Sequence, residues 1–279
     1  MRTWLLSFAL VYLLACDVRA SVLFSDNFNR PDNSNISASS TGTGGSLVPL
    51  SYYQTSGATI TGGTLQLGRG LPTGDSVFPD HNFTDSSLIS SGGFNVSFSV
   101  TPTSSVDYTG EANWGAVSVG YARSDATGGG FKVDGTNAFG VLVRGSGGTQ
   151  NPGQIQMWED GQDVGNLVFD QSPTPLETYQ VTLTVTPTAG QSLFVANQTA
   201  EATVTITGDL NANSTVATFQ TSEPFKWIGS SNYVVLEGIL EDSSTDPTTG
   251  FDNLSIATLP DPSAIALCGL ALPLLLRRR

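Results

Sequence analysis

Apolar and polar residues alternate strictly along several stretches of the chain. In GFNVSFSVTP the side chains of Phe94, Val96, Phe98 and Val100 occupy every second position, and TYQVTLTVTP repeats the pattern over residues 179–185. A period of two places the apolar side chains on one face of a β-strand and the polar ones on the other. Strands of this kind are typical of antiparallel sheets with one buried and one solvated face.

Similar stretches occur along most of the chain. They are SVLFSDNF, ATITGGTLQL, WGAVSVGYA, AFGVLVRG, QIQMWEDGQDVGNLVF, SLFVANQ, ATVTITG, YVVLEGIL and FDNLSIA. Two of them contain hairpin turn signals, Gly62-Gly63 and Asp160-Gly161. With about a dozen predicted strands and no amphipathic helix, the sequence predicts an all-β fold, an antiparallel two-sheet β-sandwich. No linker divides residues 21–259, which favours one domain there.

Composition agrees with this fold and excludes several functions. The 279 residues include 31 glycines and only 13% charged residues, which suits short strands joined by turns. The net charge of −13 makes binding to nucleic acid phosphates unfavourable, so no nucleic acid partner is expected. One histidine and two cysteines are too few for a histidine-based zinc centre or a disulfide framework.

The amino-terminal sequence has the features of a secretory signal peptide over residues 1–20. Arg2 precedes an apolar stretch that ends near Cys16, and the small residues of VRA predict cleavage after Ala20. The stretch LLAC also resembles a lipoprotein box, in which Cys16 would be lipidated. Both routes of processing remain open from the sequence.

The carboxyl-terminal residues 260–279 predict a short transmembrane sorting helix. A run of thirteen residues from Ala264 to Leu276 is followed by Arg277, Arg278 and Arg279. A spanning helix needs about 20 residues, but long arginine side chains and local thinning of the bilayer reduce that number. The arginines favour a cytoplasmic position for this end, which leaves residues 21–259 outside the membrane. A plain tail anchor would have the same pattern.

The segment Pro260-Asp261-Pro262-Ser263, followed by the apolar run and the arginine cluster, resembles the PEP-CTERM sorting signal. The resemblance implies an exported bacterial protein that is processed near this motif by an exosortase. It further implies a membrane-anchored precursor, a mature form at the cell surface or in the extracellular matrix, and a link to exopolysaccharide. The family usually has Glu at the middle position, where this chain has Asp261.

The order of several stretches within residues 21–259 resembles the concanavalin A-like or laminin-G-like jelly roll of such exported proteins. These stretches are VLFSDNFNRPDNSNISAS, DHNFTD, FGVLVRG, QIQMWEDGQ, TYQVTLTVT and FDNLSIATLP. The resemblance implies two curved antiparallel sheets in which the first and the last strands are adjacent.

Two aspartates on the predicted first and last strands suggest a structural metal site. By a period of two, Asp26 shares a face with Phe24, and Asp252 shares a face with Leu254. Unpaired buried carboxylates are costly, and two close together are worse. A Ca²⁺ ion with oxygen ligands would remove this cost, which gives the hypothesis that Asp26, Asp252 and Asn253 hold structural Ca²⁺. Alternatively, each carboxylate caps a strand end or accepts hydrogen bonds from backbone amides.

Six aromatic residues are candidates for stacking on sugar rings, namely Tyr52, Tyr53, Tyr108, Trp114, Trp158 and Trp227. A place in the core is the alternative for each, and the candidates retained are Trp158, Trp114 and Tyr108. The paired carboxylates of retaining glycosidases are not found: Glu159, Asp160 and Asp163 have the wrong spacing and straddle a predicted turn.

The sequence therefore predicts a non-enzymatic, exported envelope or matrix protein that requires no cofactor other than the hypothetical Ca²⁺. Its expected partners are an exosortase-type processing enzyme, extracellular polysaccharide and, before processing, the inner membrane. The alternative is a carbohydrate-binding, or less readily a carbohydrate-cleaving, lectin-like module. A scaffold that binds other proteins through its sheet edges is a third hypothesis.

Overall fold

A computed structural model describes residues 20–38, 41–70, 74–102, 114–128, 131–133, 135, 138–144, 153–170, 178–209, 216–240 and 248–260. Several predictions fall outside these residues: almost all of the signal peptide with Cys16, the stacking candidate Tyr108, and the sorting segment beyond Pro260. The residues of that segment are Asp261, Pro262, Ser263, the apolar run, Arg277, Arg278 and Arg279. No helix in the described part of the chain is long and apolar enough to cross a membrane.

The described residues form sixteen strands and two short helices. The strands are β1 Val22–Asp26, β2 Tyr52–Gln54, β3 Thr59–Thr61, β4 Thr64–Leu67, β5 Arg69–Gly70, β6 Asp75–Pro79, β7 Phe94–Thr101, β8 Trp114–Tyr121, β9 Phe139–Arg144, β10 Gly153–Glu159, β11 Gln162–Asp170, β12 Tyr179–Pro187, β13 Thr199–Asp209, β14 Val216–Lys226, β15 Tyr233–Leu240 and β16 Thr249–Thr258. The helices are α1 Ser86–Ser90, which follows β6, and α2 Arg123–Thr127, which follows β8.

The strands form two sheets that pack face to face. Sheet A has the order β14-β13-β12-β7-β16-β4-β3, and β1 also pairs with β16. Sheet B has the order β11-β10-β9-β8-β15-β6-β2, and the two-residue β5 also pairs with β15. All pairs are antiparallel except β5 with β15. The predicted antiparallel two-sheet β-sandwich is confirmed, as is the adjacency of its first and last strands.

The core lies between the inner faces of the two sheets. In β7 the alternating residues Phe94, Val96, Phe98 and Val100 are all buried, as their period predicts. The two predicted hairpins form as well, β3 with β4 around Gly62-Gly63 and β10 with β11 around Asp160-Gly161. Burial of each large apolar side chain contributes about 1.5–3 kcal/mol to the free energy of folding. The apolar side chains that the alternation places in the core therefore provide much of the stability of the fold.

One predicted strand is wrong. The stretch SLFVANQ lies in the loop between β12 and β13, where Phe194 and Asn197 have positive φ values of 61° and 64°. The consecutive residues Leu193 and Phe194 are both buried there, which an extended strand with alternating faces would not allow. Phe194 stacks on Phe94 at 6.0 Å between ring centres and meets the Trp227 ring edge-on at 4.9 Å, so it closes this end of the core.

Candidate functional site

The outer face of sheet B carries three half-buried aromatic side chains that pack on one small apolar group. They are Trp158 on β10, Trp114 on β8 and Phe131, which follows α2 in the chain. Met157, the neighbour of Trp158, belongs to the main core, so the period of two turns Trp158 outward. The group, which we call the aromatic cluster, is completed by Ala116, Val133 and Leu142.

Polar groups border the aromatic cluster. The Arg144 guanidinium lies 5.2 Å from the centre of the Trp114 ring, a cation–π distance. Gln154 and Gln156 stand on the same face of β10, next to Arg144 and Leu142 on β9. The cluster therefore combines flat apolar rings with amide and guanidinium hydrogen-bonding groups.

Two features describe the surroundings of Trp158. Its indole Nε1 is buried and has no hydrogen-bond partner among the described residues. A buried indole N–H usually finds an acceptor. Directly opposite on β9 lies Gly140, which contributes no side chain beside the Trp158 ring. Trp227 also has an unpartnered Nε1, but that side chain is enclosed in the core.

Residues 131–133, which we call the crossing segment, are fixed to sheet B by Glu237 of β15. The Glu237 carboxylate is buried and accepts the backbone N–H of Lys132, with N–O distances of 2.8 and 2.9 Å to its two oxygens. It also accepts the backbone N–H of Val133 at 3.1 Å. The Tyr121 hydroxyl donates to the Lys132 carbonyl oxygen. Both polar backbone groups of Lys132 are thereby held, which positions Phe131 in the aromatic cluster.

The Lys132 side chain connects the crossing segment to α2. Its Nζ donates to the carbonyl oxygens of Asp125, at 3.2 Å, and of Gly128 at the end of the helix. Burial lowers the pKa of Lys132, and the nearby Glu237 and Asp125 carboxylates oppose that shift. A cation near the last carbonyl groups of a helix is favourable, so the ammonium group stabilises this junction.

A second group of aromatic residues lies on the same face, on the other side of α2. Tyr53 stacks on Phe78 at 5.0 Å between ring centres, and Phe78 meets the Tyr233 ring edge-on at 5.7 Å. Ala126 of α2 packs into this group, which we call the tyrosine cluster. The Tyr53 hydroxyl donates to the Thr127 carbonyl oxygen at 3.2 Å. The α2 region is therefore supported on one side by the tyrosine cluster, and the crossing segment by the aromatic cluster.

Asp26 is buried as predicted, but its counter-charge comes from the protein. Arg30 Nη1 lies 2.7 and 2.9 Å from the two carboxylate oxygens, and the Tyr52 hydroxyl donates to one of them at 2.9 Å. The backbone N–H groups of Phe28 and Gly42 donate to the carboxylate as well. Burial raises the pKa of Tyr52, and the Asp26 charge adds to that shift. The carboxylate is therefore already neutralised and hydrogen-bonded on both oxygens.

Asp252 lies on the opposite face from the one predicted. A β-bulge between Asp252 and Ser255 contains Asn253 at φ 53°, and it pairs Asp252 with Ser99 on the outer face of sheet A. Leu254 is buried on the inner face. The extra residue of a bulge interrupts the alternation, so counting by two across it gives the wrong face.

The residues present do not fit the calcium hypothesis. Asp26 points into the core with Arg30 on it, whereas Asp252 and Asn253 lie on the outer side of the sheet. Partial burial raises the pKa of Asp252; the Asn253 backbone N–H opposes the shift, and the Asp26 charge adds to it. Among the described residues, no three histidine, cysteine, aspartate or glutamate side chains converge as metal ligands.

Sequence reasoning selected Trp114 and Trp158 but missed Phe131 and the role of Glu237. The structure brings both tryptophans into one cluster on the outer face of sheet B. Glu237 was detectable as a single charge within the apolar strand YVVLEGIL. Its hydrogen-bond partner Lys132 could not be detected from the sequence, because Lys132 lies 105 residues earlier in a glycine-rich segment.

No protein-family model matches the chain. No curated protein matches it significantly in sequence. Solved structures do match in fold. Lectin II from Ulex europaeus has a TM-score of 0.52 and 11% identity, over 86% of this chain and all of the lectin chain. Basic winged bean lectin with Tn-antigen has a TM-score of 0.51 and 12% identity, over 85% and 98% of the two chains.

A third structure, lectin UEA-II complexed with galactose, has a TM-score of 0.53 and 12% identity, over 85% of this chain and 98% of the lectin chain. At such identities the likeness defines the fold and leaves the ligand open. The chain has the concanavalin A-like β-sandwich of the legume lectins.

Proposed function

We propose that this protein is a lectin-like carbohydrate-binding module whose site is the aromatic cluster on the outer face of sheet B. The observation that carries this proposal is the pair of half-buried tryptophans, Trp114 and Trp158, which are turned away from the core on the outer face of sheet B. The C–H face of a sugar ring stacks on such side chains through apolar contact. The lectins of similar fold that contain galactose or Tn-antigen support the proposal by analogy.

The polar groups around the cluster suit a ligand rich in hydroxyl groups. Gln154 and Gln156 offer both donors and acceptors, as a hydroxyl group requires. Arg144 adds a donor beside Trp114. A neutral glycan with one exposed C–H face matches this combination.

The second part of the proposal concerns location. We propose that the module is exported through residues 1–20 and held in the membrane through residues 260–279 before an exosortase-type enzyme processes it near Pro260. Its glycan would then be extracellular polysaccharide. The geometry that supports this is the meeting of the two ends of the domain: Ser21 N donates to Thr258 Oγ1 at 2.8 Å, and Thr258 N donates to Ser21 O at 2.9 Å. The first and last described residues of the domain therefore lie side by side at one end of sheet A.

A glycan array with the full-length chain tests the binding proposal. Wild-type protein is expected to retain at least one class of neutral glycan, and Trp158→Ala and Trp114→Ala are each expected to weaken that binding about tenfold, the equivalent of about 1.4 kcal/mol. The matched control is Tyr53→Ala, which removes a half-buried ring of the same sheet face outside the cluster and should bind normally. Absence of glycan binding by the wild type, or unchanged binding by both tryptophan variants, would overturn the proposal. Release of shortened sugars would indicate cleavage instead.

A further inference from the structure

Among the side chains whose exposure the structure describes, the exposed large hydrophobic ones lie at one end of the sandwich. Among the described residues only Val22, Ile89 and Val195 belong to this group, with exposed fractions of 42%, 50% and 46%. Single exposed hydrophobic residues are common on protein surfaces. All three of these residues lie at the same end of the sandwich, however, and this shared location requires an explanation.

The pairing of sheet A places these residues at the same end. Phe94, the first residue of β7, pairs with Val185 near the end of β12 and with Thr258 at the end of β16. Val22 begins β1 and pairs with Ala257, next to Thr258. Ile89 lies in α1, which directly precedes β7, and Val195 lies in the loop that follows β12. We call the surface formed by Val22, Ile89 and Val195 the terminal face.

The chain leaves the domain at the terminal face. Leu259 N donates to the Gly93 carbonyl oxygen at 3.1 Å, in the turn between α1 and β7. The apolar run begins at Ala264, so only Asp261, Pro262 and Ser263 separate it from Pro260, the last described residue. Ala264 lies four residues beyond Pro260, so a fully extended chain separates the two by at most about 14 Å. If the run enters the bilayer, the terminal face lies within about that distance of the lipid.

We propose that the terminal face of the anchored precursor rests in the interfacial region of the membrane, with Ile89, Val195 and Val22 in contact with lipid. This inference rests on the membrane anchoring in the proposed function and adds an orientation to it. Transfer of such side chains from water into the interface is favourable in proportion to their apolar area. A second protein is a poorer occupant, because three side chains fall far short of the roughly 1,000 Å² of a stable protein interface. The short connection between Pro260 and the apolar run, by contrast, keeps the terminal face close to the lipid.

The experiment uses the full chain with Cys16→Ser and Cys268→Ser, reconstituted in vesicles of phosphatidylethanolamine and phosphatidylglycerol. A nitroxide is attached in turn at Ile89→Cys, Val195→Cys and, as a control at the opposite end of sheet A, Thr218→Cys, an exposed position on β14. Collisions with oxygen report lipid, and collisions with a water-soluble nickel chelate report water. We expect labels at 89 and 195 to favour oxygen several-fold more than the label at 218.

The outcomes separate this inference from the anchoring on which it depends. If the chain floats with the vesicles but all three labels meet nickel equally, the terminal face does not touch lipid and the inference is wrong. If the chain does not float, the anchoring proposal is wrong and the inference falls with it. A label at Val22→Cys should also lose its preference for oxygen when Ile89→Ser and Val195→Ser are introduced. An unchanged preference would show that the connection alone holds the domain near lipid, which contradicts the role given to these side chains.

Discussion

Both carboxylate oxygens of Glu237 accept the single backbone N–H of Lys132, at 2.8 and 2.9 Å. This contact joins the centre of sheet B to the crossing segment and thereby fixes Phe131 beside the two tryptophans of the aromatic cluster. The carboxylate is almost fully buried, so its hydrogen bonds cannot be replaced readily by water. The site proposed for glycans thus depends on a residue that a glycan would not touch.

Glu237→Gln should destabilise the protein by about 1–3 kcal/mol, because the new NH₂ group cannot accept the backbone N–H groups that the carboxylate accepts. Urea unfolding measures the loss. The same variant should change the tryptophan fluorescence of the folded protein, since the crossing segment then no longer holds Val133 and Phe131 in the apolar group on which Trp114 and Trp158 pack. Glu201→Gln, on the exposed face of β13, makes the same chemical change without these contacts and is the control. Equal stability of the two variants would contradict the role of Glu237.

Asp26→Asn should cost about 3–5 kcal/mol, because it leaves the buried Arg30 guanidinium without its counter-charge. Thermal or urea unfolding measures this loss. Asp80→Asn is the matched control, since the Asp80–Arg123 pair has a similar N–O distance of 2.6 Å but a half-exposed arginine side chain. Exposed pairs contribute little, so the control should lose much less stability. Similar losses in the two variants would show that burial of the Asp26–Arg30 pair has no special effect.

Calcium chelation should affect wild-type protein and Asp252→Asn equally. The reason is that Arg30 neutralises Asp26, and Asp252 lies on the other face of sheet A, so the two do not form a joint calcium site. Differential scanning calorimetry with and without EDTA gives the shift in the thermal midpoint for each protein. A shift in the wild type that is abolished in Asp252→Asn would restore the calcium hypothesis.

Stability should fall between about pH 7 and pH 5.5 because of His81, the single histidine of the chain. Burial beside the Phe83 ring, 4.9 Å away between ring centres, lowers the pKa of His81, and Asp85 partly offsets the shift. The unfolded state therefore takes up the proton first, at about pH 6.5. Stability is complete above that value and is lost as the pH falls through the lower pKa of the folded state.

Thermal midpoints from pH 7.5 to 5.5 test this effect of pH. His81→Gln cannot take up the proton, so its midpoint should change less over the range than that of the wild type. The range stops above the pH at which most carboxylates become protonated, which isolates the contribution of the histidine. Parallel curves for the two proteins would exclude His81 as the source of the pH dependence.

The fold could be predicted from the sequence because burial on one side of a strand is a local signal. Strands β7 and β12 follow directly from their alternation, and the hairpin at Asp160-Gly161 follows from its turn residues. The loop containing Phe194 could not be predicted, because its apolar residues look like those of a strand until their positive φ values are known.

The candidate site could be predicted only in part. Trp114 and Trp158 follow from their strands, but Phe131 and Glu237 come together only when the crossing segment folds back over sheet B. The face of Asp252 depends on a bulge, and a bulge is defined by the partner strand rather than by the sequence around it. Arg30 lies four residues after Asp26 in a loop, where no regular spacing predicts contact.

The last strand of the domain has hydrogen-bonded neighbours on both sides, β7 on one and β4 with β1 on the other. If the protein were anchored through its carboxyl terminus and bound to an immobile polymer, a pulling force on it would act along β16. To pull this central strand out of the sheet, the hydrogen bonds to the strands on both sides must break together. An edge strand is bonded on one side only and separates more easily. The position of β16 therefore favours a high resistance of the domain to force applied at its carboxyl terminus.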